Sequence, residues 1–136
     1  MSEISAAEAQ SAIDVAIKKG REIGVPISIA VVDSGRNLIA FMRMDDALLG
    51  TIEAAQHKAY TARTVNMRTA DLGPLVQPGG PLYAFERSHR TPFVVFGGGI
   101  PVRRNGKVIG AVGLSGGSPE QDDVVAEAVV AHLEAR

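Results

Sequence analysis

FGGGIPVRRNGKVIGAVGLSGGSPEQDD, Phe96 to Asp123, holds eight of the chain's fifteen glycines, and its punctuation decides the architecture. Asn105-Gly106 stands between two strand-like runs, residues 100–104 and 107–114. That dipeptide suits a two-residue type I′ turn, in which both residues take positive φ, so the runs read as a tight antiparallel hairpin. A further short strand is expected just upstream, at 93–96. Downstream, Ser118-Pro119-Glu120-Gln121 supplies a cap, an N1 proline and a capping-box glutamine. A last helix opens there and carries Val124, Val125, Ala128, Val129 and Leu133.

The same grammar holds toward the N-terminus. Ser5-Ala-Ala-Glu8 is a capping box with Ile4 and Ala9 as its staple, and it opens a helix at 6–22 that Gly24-Val25-Pro26 stops. The β-rich run 27–32, the turn residues Asp33-Ser-Gly35-Arg36 and a second run at 37–43 read as another hairpin. Both alternating sets of that second run, Ile39/Phe41 and Leu38/Ala40/Met42, are apolar, which predicts a strand covered on both faces. An alanine-rich helix is expected over 47–66, capped by Asp45 or Asp46. Three prolines and three glycines interrupt 69–91, where no regular element is expected and a lid or rim fits best. The order α, ββ, α, βββ, α places the chain in the α/β (α+β) class, with a mainly antiparallel sheet of about five strands and helices packed on it.

At 136 residues the chain is expected to form one domain, 1–136, with one pocket or an oligomer interface as the seat of function. A net charge of −1 and 4% aromatic residues provide neither the basic field nor the stacking platforms of a nucleic-acid binder. The absence of cysteine removes disulfides, thiolate metal sites and thiol nucleophiles. No stretch reads as a signal peptide, and no apolar run approaches the roughly 20 residues of a membrane span. A soluble, cytoplasmic protein with no membrane partner is expected.

The glycines occupy three physical settings. Gly106 serves the turn. Gly110 and Gly113 lie within a strand, where glycine implies close approach of a helix, a subunit or a ligand. Gly97-Gly98-Gly99 ends one strand and Ser115-Gly116-Gly117 precedes a helix N-terminus, so their amides are candidates for a backbone-lined wall that would receive a flat or anionic ligand. Gly113-Leu-Ser115-Gly-Gly117 also matches a hydrolase elbow, with Asp122 and His132 following. That match is rejected: the elbow belongs to a parallel sheet, and ten residues of helix hold Asp122 and His132 roughly 15 Å apart.

On the middle helix, Leu48, Thr51, Ala55, Ala59 and Ala62 share a face at about 100° per residue, with Lys58 inside that sector. Glu53, His57, Thr61 and Thr64 lie opposite, as on a solvated face. A lysine among small residues either neutralises a buried acid, for which Asp33 and Asp45 are the candidates, or reaches an anionic ligand.

Several runs together carry a family resemblance. They are Asp33-Ser-Gly35-Arg-Asn-Leu38, Arg43-Met44-Asp45, Lys58-Ala59-Tyr60-Thr61-Ala62, Phe96-Gly-Gly-Gly-Ile-Pro101, and Gly106-Lys-Val-Ile-Gly110-Ala-Val-Gly113-Leu-Ser115-Gly-Gly117 with Asp122 beyond. In this order, over nearly the whole chain, they resemble the GlcG/HbpS-like family, also known as the haem-degrading domain family and similar to the C-terminal domain of PduO-type corrinoid adenosyltransferases. Asp46 departs from the family, which often has glycine after Arg-Met-Asp. The resemblance implies a profilin-like α/β/α sandwich, a homo-oligomer, and a haem or tetrapyrrole ligand, with haem degradation as the associated activity. For haem, His57, His89 and Thr61 are the candidate iron ligands, and Arg87, Arg90, Arg103, Arg104 and Lys107 the candidate propionate partners. The alternative is a small enzyme acting on a carboxylated catabolic intermediate. There Arg43 and Lys58 would hold the carboxylate and Glu53 or Asp33 would move the proton, while the amides of Gly98, Gly99, Ser115, Gly116 and Gly117 would stabilise negative charge. A non-catalytic accessory or assembly subunit is the third reading.

Overall fold

The computed structural model describes residues 3–135. Its elements run α1 (Ala6–Ile23), β1 (Ser28–Asp33), β2 (Leu38–Arg43), α2 (Thr51–Val65), α3 (Thr69–Leu72), β3 (Gly99–Arg104), β4 (Lys107–Ser115) and α4 (Pro119–Glu134). Both capping boxes form. The Ser5 hydroxyl accepts from Glu8 N–H at 3.1 Å while the Glu8 carboxylate accepts from Ser5 N–H at 2.9 Å, and Ser118 and Gln121 repeat the exchange at 3.1 and 2.9 Å. Asn105 and Gly106 take φ of 51° and 77°, as the two-residue turn between β3 and β4 requires.

The sheet has four strands in the order β2-β1-β4-β3, each antiparallel to its neighbour. The fifth expected strand, at 93–96, does not form. Its polar backbone is satisfied by side chains instead: Val94 N–H donates to the Thr61 hydroxyl at 3.1 Å, and the Phe96 carbonyl accepts from Thr69 at 2.7 Å. β2 is an edge strand rather than one covered on both faces, with Leu38 50% and Met42 40% exposed. The 69–91 region is less irregular than its prolines suggest, since α3 is followed by 3₁₀ turns at Gly73–Val76 and Phe85–Ser88.

α1 and α4 cover one face, where Ile13, Val125 and Val129 meet Ile29, Val31, Val112 and Leu114. α2 covers the other mainly through small side chains, Ala55, Ala59 and Ala62 against Ala30, Val32 and Ala111, with Phe41 packed beside them. That seam brings the helix backbone down onto the sheet. A Cβ at Gly113 would collide with the Ala55 carbonyl and stand 2.6 Å from the Ala59 nitrogen, so this glycine marks the close approach of a helix. α2 itself begins later than expected. Neither Asp45 nor Asp46 caps it; Asp46 turns the chain at φ 69°, Gly50 occupies the cap, and the Thr51 hydroxyl is tied to Ser28 at 2.9 Å. Among the described residues no helix is long and apolar enough to cross a membrane.

Candidate functional site

The residues singled out by sequence separate into three places. The first is the interior around Lys58. From the middle of α2 its side chain passes beneath the glycine triplet and ends between β4 and α4, with 0% of it exposed. The ammonium donates to the Leu114 carbonyl at 2.8 Å and to Asp122 Oδ2 at 3.0 Å, and lies 5.0 Å from the centre of the Phe96 ring. The buried acid expected of Lys58 therefore exists, but it is Asp122 rather than Asp33 or Asp45. Asp33 is spent on its own turn, accepting from Gly35 and Asn37, and Asp45 is exposed beyond β2. Burial pushes the Lys58 ammonium below its ordinary pKa, opposed by the charge of Asp122, and burial likewise raises the Asp123 carboxyl.

Three of the glycine amides are occupied by the fold. Gly98 N–H donates to Asp123 at 2.8 Å, Gly99 N–H to Thr69 at 2.9 Å, and Gly117 N–H to Asp122 Oδ1 at 2.9 Å. The two loops do lie side by side, joined by the Leu114 amide on the Gly98 carbonyl at 2.8 Å. Lys58 fills the space against them: a Cβ at Gly98 would stand 2.7 Å from its nitrogen. Ser115 is buried at the end of β4, and Gly116 packs against Pro26 and Ile27. The arrangement is a buried polar cluster joining α2, α3, α4 and the sheet. Sequence reasoning missed Thr69 and Asp123, and it weighed Asp122 as a hydrolase residue and as part of the family pattern, never as the partner of Lys58. Two adjacent acids in the first turn of a capped helix were the available signal.

The second place is a hollow of about 370 Å³ beside the end of β2, lined by Ile17, Arg21, Met42, Arg43, Met44 and Asp45. Arg43 is exposed there, while Lys58 is enclosed between α2 and α4, so the two do not converge on one carboxylate. Glu53 is exposed in the first turn of α2. A larger hollow of about 660 Å³ runs along the outer side of α1 and contains none of the candidate residues.

The third place is the outer side of α2. Val32, Arg36, Leu38, Gln56, His57, Tyr60 and Thr91 line a cleft of about 220 Å³. His57 is half-buried at its wall. Thr61, expected beside it on a solvated stripe, is fully buried, because the 93–96 connection folds over it; its hydroxyl donates to the His57 carbonyl at 2.6 Å and receives Val94 N–H. His89 sits in an aromatic cluster, 4.6 Å from Phe93 and 5.0 Å from Phe85 between ring centres, and its Nδ1 is shut from water without a partner. Of the five bases considered for propionates, Arg104 is buried on Glu8 at 2.6 Å and Arg103 donates to the Asn66 carbonyl at 2.8 Å. Arg87, Arg90 and Lys107 are exposed. The third histidine, His132, lies 2.7 Å from the Ser11 hydroxyl, far along α4 from Asp122. Among the described residues no group of three His, Asp or Glu side chains is arranged to hold a metal ion.

Comparison with known proteins places this geometry in context. An uncharacterized 15.0 kDa protein from the dhaT–dhaS intergenic region of Citrobacter freundii is 44% identical over 124 residues, 91% of this chain and 87% of that protein. The corrinoid adenosyltransferase PduO of the same organism is 40% identical over 121 residues, which span 89% of this chain but only 36% of PduO. Among solved structures, a PduOC:heme complex superposes with a TM-score of 0.90 at 35% identity, covering 96% of this chain and 94% of that one. The family described as "Haem degrading protein HbpS-like" matches residues 4–131. An antiparallel sheet clad by helices on both faces, a glycine triplet packed over a buried lysine, and this match over almost the whole chain agree: the protein belongs to the HbpS-like family.

Proposed function

We propose that the protein binds haem or a related tetrapyrrole on the outer side of α2, beside His57. The observation that carries this reading is the composition of the cleft. An imidazole stands with an apolar wall, Val32 and Leu38, an aromatic ring, Tyr60, and a cation, Arg36. These are the donor, contact surface and charge that a haem site combines. The likeness to the PduOC:heme complex and the family description support the same class of ligand. His57 fits an axial ligand better than the other candidates, since Thr61 is enclosed and His89 is packed among rings. When bound, haem supplies a redox-active iron; the chain supplies the imidazole, the apolar contact and the charge. The cleft is smaller than the roughly 300–1,000 Å³ of enclosed ligand pockets, so it would hold part of a macrocycle, with His57, Leu38 and Arg36 as the residues in contact.

A homo-oligomer belongs to the same reading. The edge strand β2, with Leu38 and Met42, and the nearby Leu48 and Leu49, 72% and 77% exposed, offer apolar area for it. Light scattering is expected to give a multiple of 14.2 kDa, and a mass of 14.2 kDa at micromolar concentration would remove the oligomer. Haem titration is expected to give a Soret shift that saturates at one ligand per chain. His57→Ala should weaken it at least tenfold and His89→Ala should leave it unchanged. Unsaturable absorbance, or equal affinity in His57→Ala, would overturn the site. Decay of the bound Soret band under reductant and oxygen would extend the reading from haem binding to haem breakdown.

A further inference from the structure

Next to the His57 cleft lies a second hollow of about 220 Å³, between the β1–β2 turn and the C-terminal half of α2, lined by Ser34, Arg36, Arg63 and Thr64. Arg36 lines both hollows. Its backbone is held at φ 68°, a left-handed conformation that favours glycine, and its guanidinium is fixed 4.6 Å above the Tyr60 ring. Among the described residues its partners are all on Nη1, which donates to the Tyr60 hydroxyl at 3.0 Å and the Thr64 hydroxyl at 3.2 Å. Arg63 donates through Nη1 to Asn66 at 2.8 Å, while its Nε is shut from water and has no acceptor.

Among the described residues, neither guanidinium pairs with a carboxylate, although Arg68 and Arg104 both do. The nearby acids are engaged elsewhere. Glu3 takes the Ser34 hydroxyl at 2.5 Å and the Ser34 amide at 3.3 Å, and Asp33 takes the amides of its own turn. Two arginines thus line one concave space without an ion pair among the described residues, and the carboxylate that reaches its wall, Glu3, is held by Ser34. The planar forks retain free donors, the arrangement that recognises a carboxylate through parallel hydrogen bonds.

We propose that this hollow is a carboxylate subsite, receiving the acidic end of a ligand whose apolar body lies in the His57 cleft. The tetrapyrrole reading supplies the body of that ligand, since a haem propionate is such an acid, but the anion site rests on the arginines alone. Sodium propionate and haem dimethyl ester separate the two. Propionate is expected to shift the Nε–H resonances of Arg36 and Arg63 saturably, and Arg63→Gln should abolish the shift without moving the melting temperature. Haem should bind the wild type at least tenfold more tightly than its dimethyl ester. In Arg36→Gln and Arg63→Gln, haem affinity should fall to that of the ester, and the ester should be unaffected. If propionate saturates but haem does not bind, the tetrapyrrole reading falls and the carboxylate subsite stands with a different ligand body. If propionate gives no saturable shift and haem and its ester bind equally, the subsite is overturned even though haem binds.

Discussion

Lys58 carries a charge into an interior where the Leu114 carbonyl, Asp122 and the Phe96 ring receive it, with the charge of Asp123 nearby. Lys58→Met would leave the Asp122 carboxylate buried with the Gly117 amide as its remaining partner. Removal of one member of a buried pair destabilises by about 3–5 kcal/mol, so urea denaturation should show a loss of that order. Adding Asp122→Leu should recover most of it but not all, since Gly117 N–H then loses its acceptor. A Lys58→Met protein as stable as the wild type would show that the pair is not held in solution. Asp46 offers the opposite case. At φ 69° it holds a conformation that costs an L-residue about 1–2 kcal/mol and aspartate somewhat less. Asp46→Gly relieves that strain while adding freedom to the unfolded chain, so a net gain of a few tenths to about 1 kcal/mol is expected in thermal melts.

Among the elements, the contact of α2 with the sheet tolerates little added volume, because at its centre the helix alanines lie on Ala30, Val32, Ala111 and Gly113. A methyl at Gly113 meets helix backbone, which cannot rotate away. Gly113→Ala should therefore cost at least the roughly 1–3 kcal/mol of an overpacked core, and it should also shift the amide resonances of Ala55 and Ala59. The helix termini are more forgiving. Ser118→Ala removes the acceptor for Gln121 N–H and should cost about 1 kcal/mol, read in the same denaturation assay. The caps and the Asn105-Gly106 turn were legible because they are local: their hydrogen bonds close within four residues. The strand expected at 93–96 was not, because its partners, Thr61 and Thr69, lie over twenty residues away. For the same reason the Thr61 face looked solvated.

At the scale of the whole molecule, the pair Glu8–Arg104 ties the first helix to the hairpin and the last helix, with Arg104 also donating to the Leu133 carbonyl. The Ser5 amide, followed by Arg104, holds the Glu8 carboxyl down to about 2, well below the ordinary carboxylate value near 4.5. Because the folded value is depressed, the stabilisation is fully present above about 4.5 and is lost as pH falls toward 2. Acid titration of stability should show this loss in the wild type, and Glu8→Gln should flatten the curve in that window while lowering stability at neutral pH. An unchanged acid limb would mean that Glu8 titrates normally.

What the sequence by itself determined is everything whose cause is local: two capping boxes, two hairpins, the alanine seam of α2, the place of the strand glycines, and, through the ordered motifs, the family. The tertiary structure decided which groups meet. It paired Lys58 with Asp122, 64 residues away, and gave the amides of Gly98, Gly99 and Gly117 to Asp123, Thr69 and Asp122. Spacing within one helix can place a lysine on an apolar face, but the acid that receives it arrives on another element. Long-range pairing is a property of the assembled layers, and no local pattern encodes it.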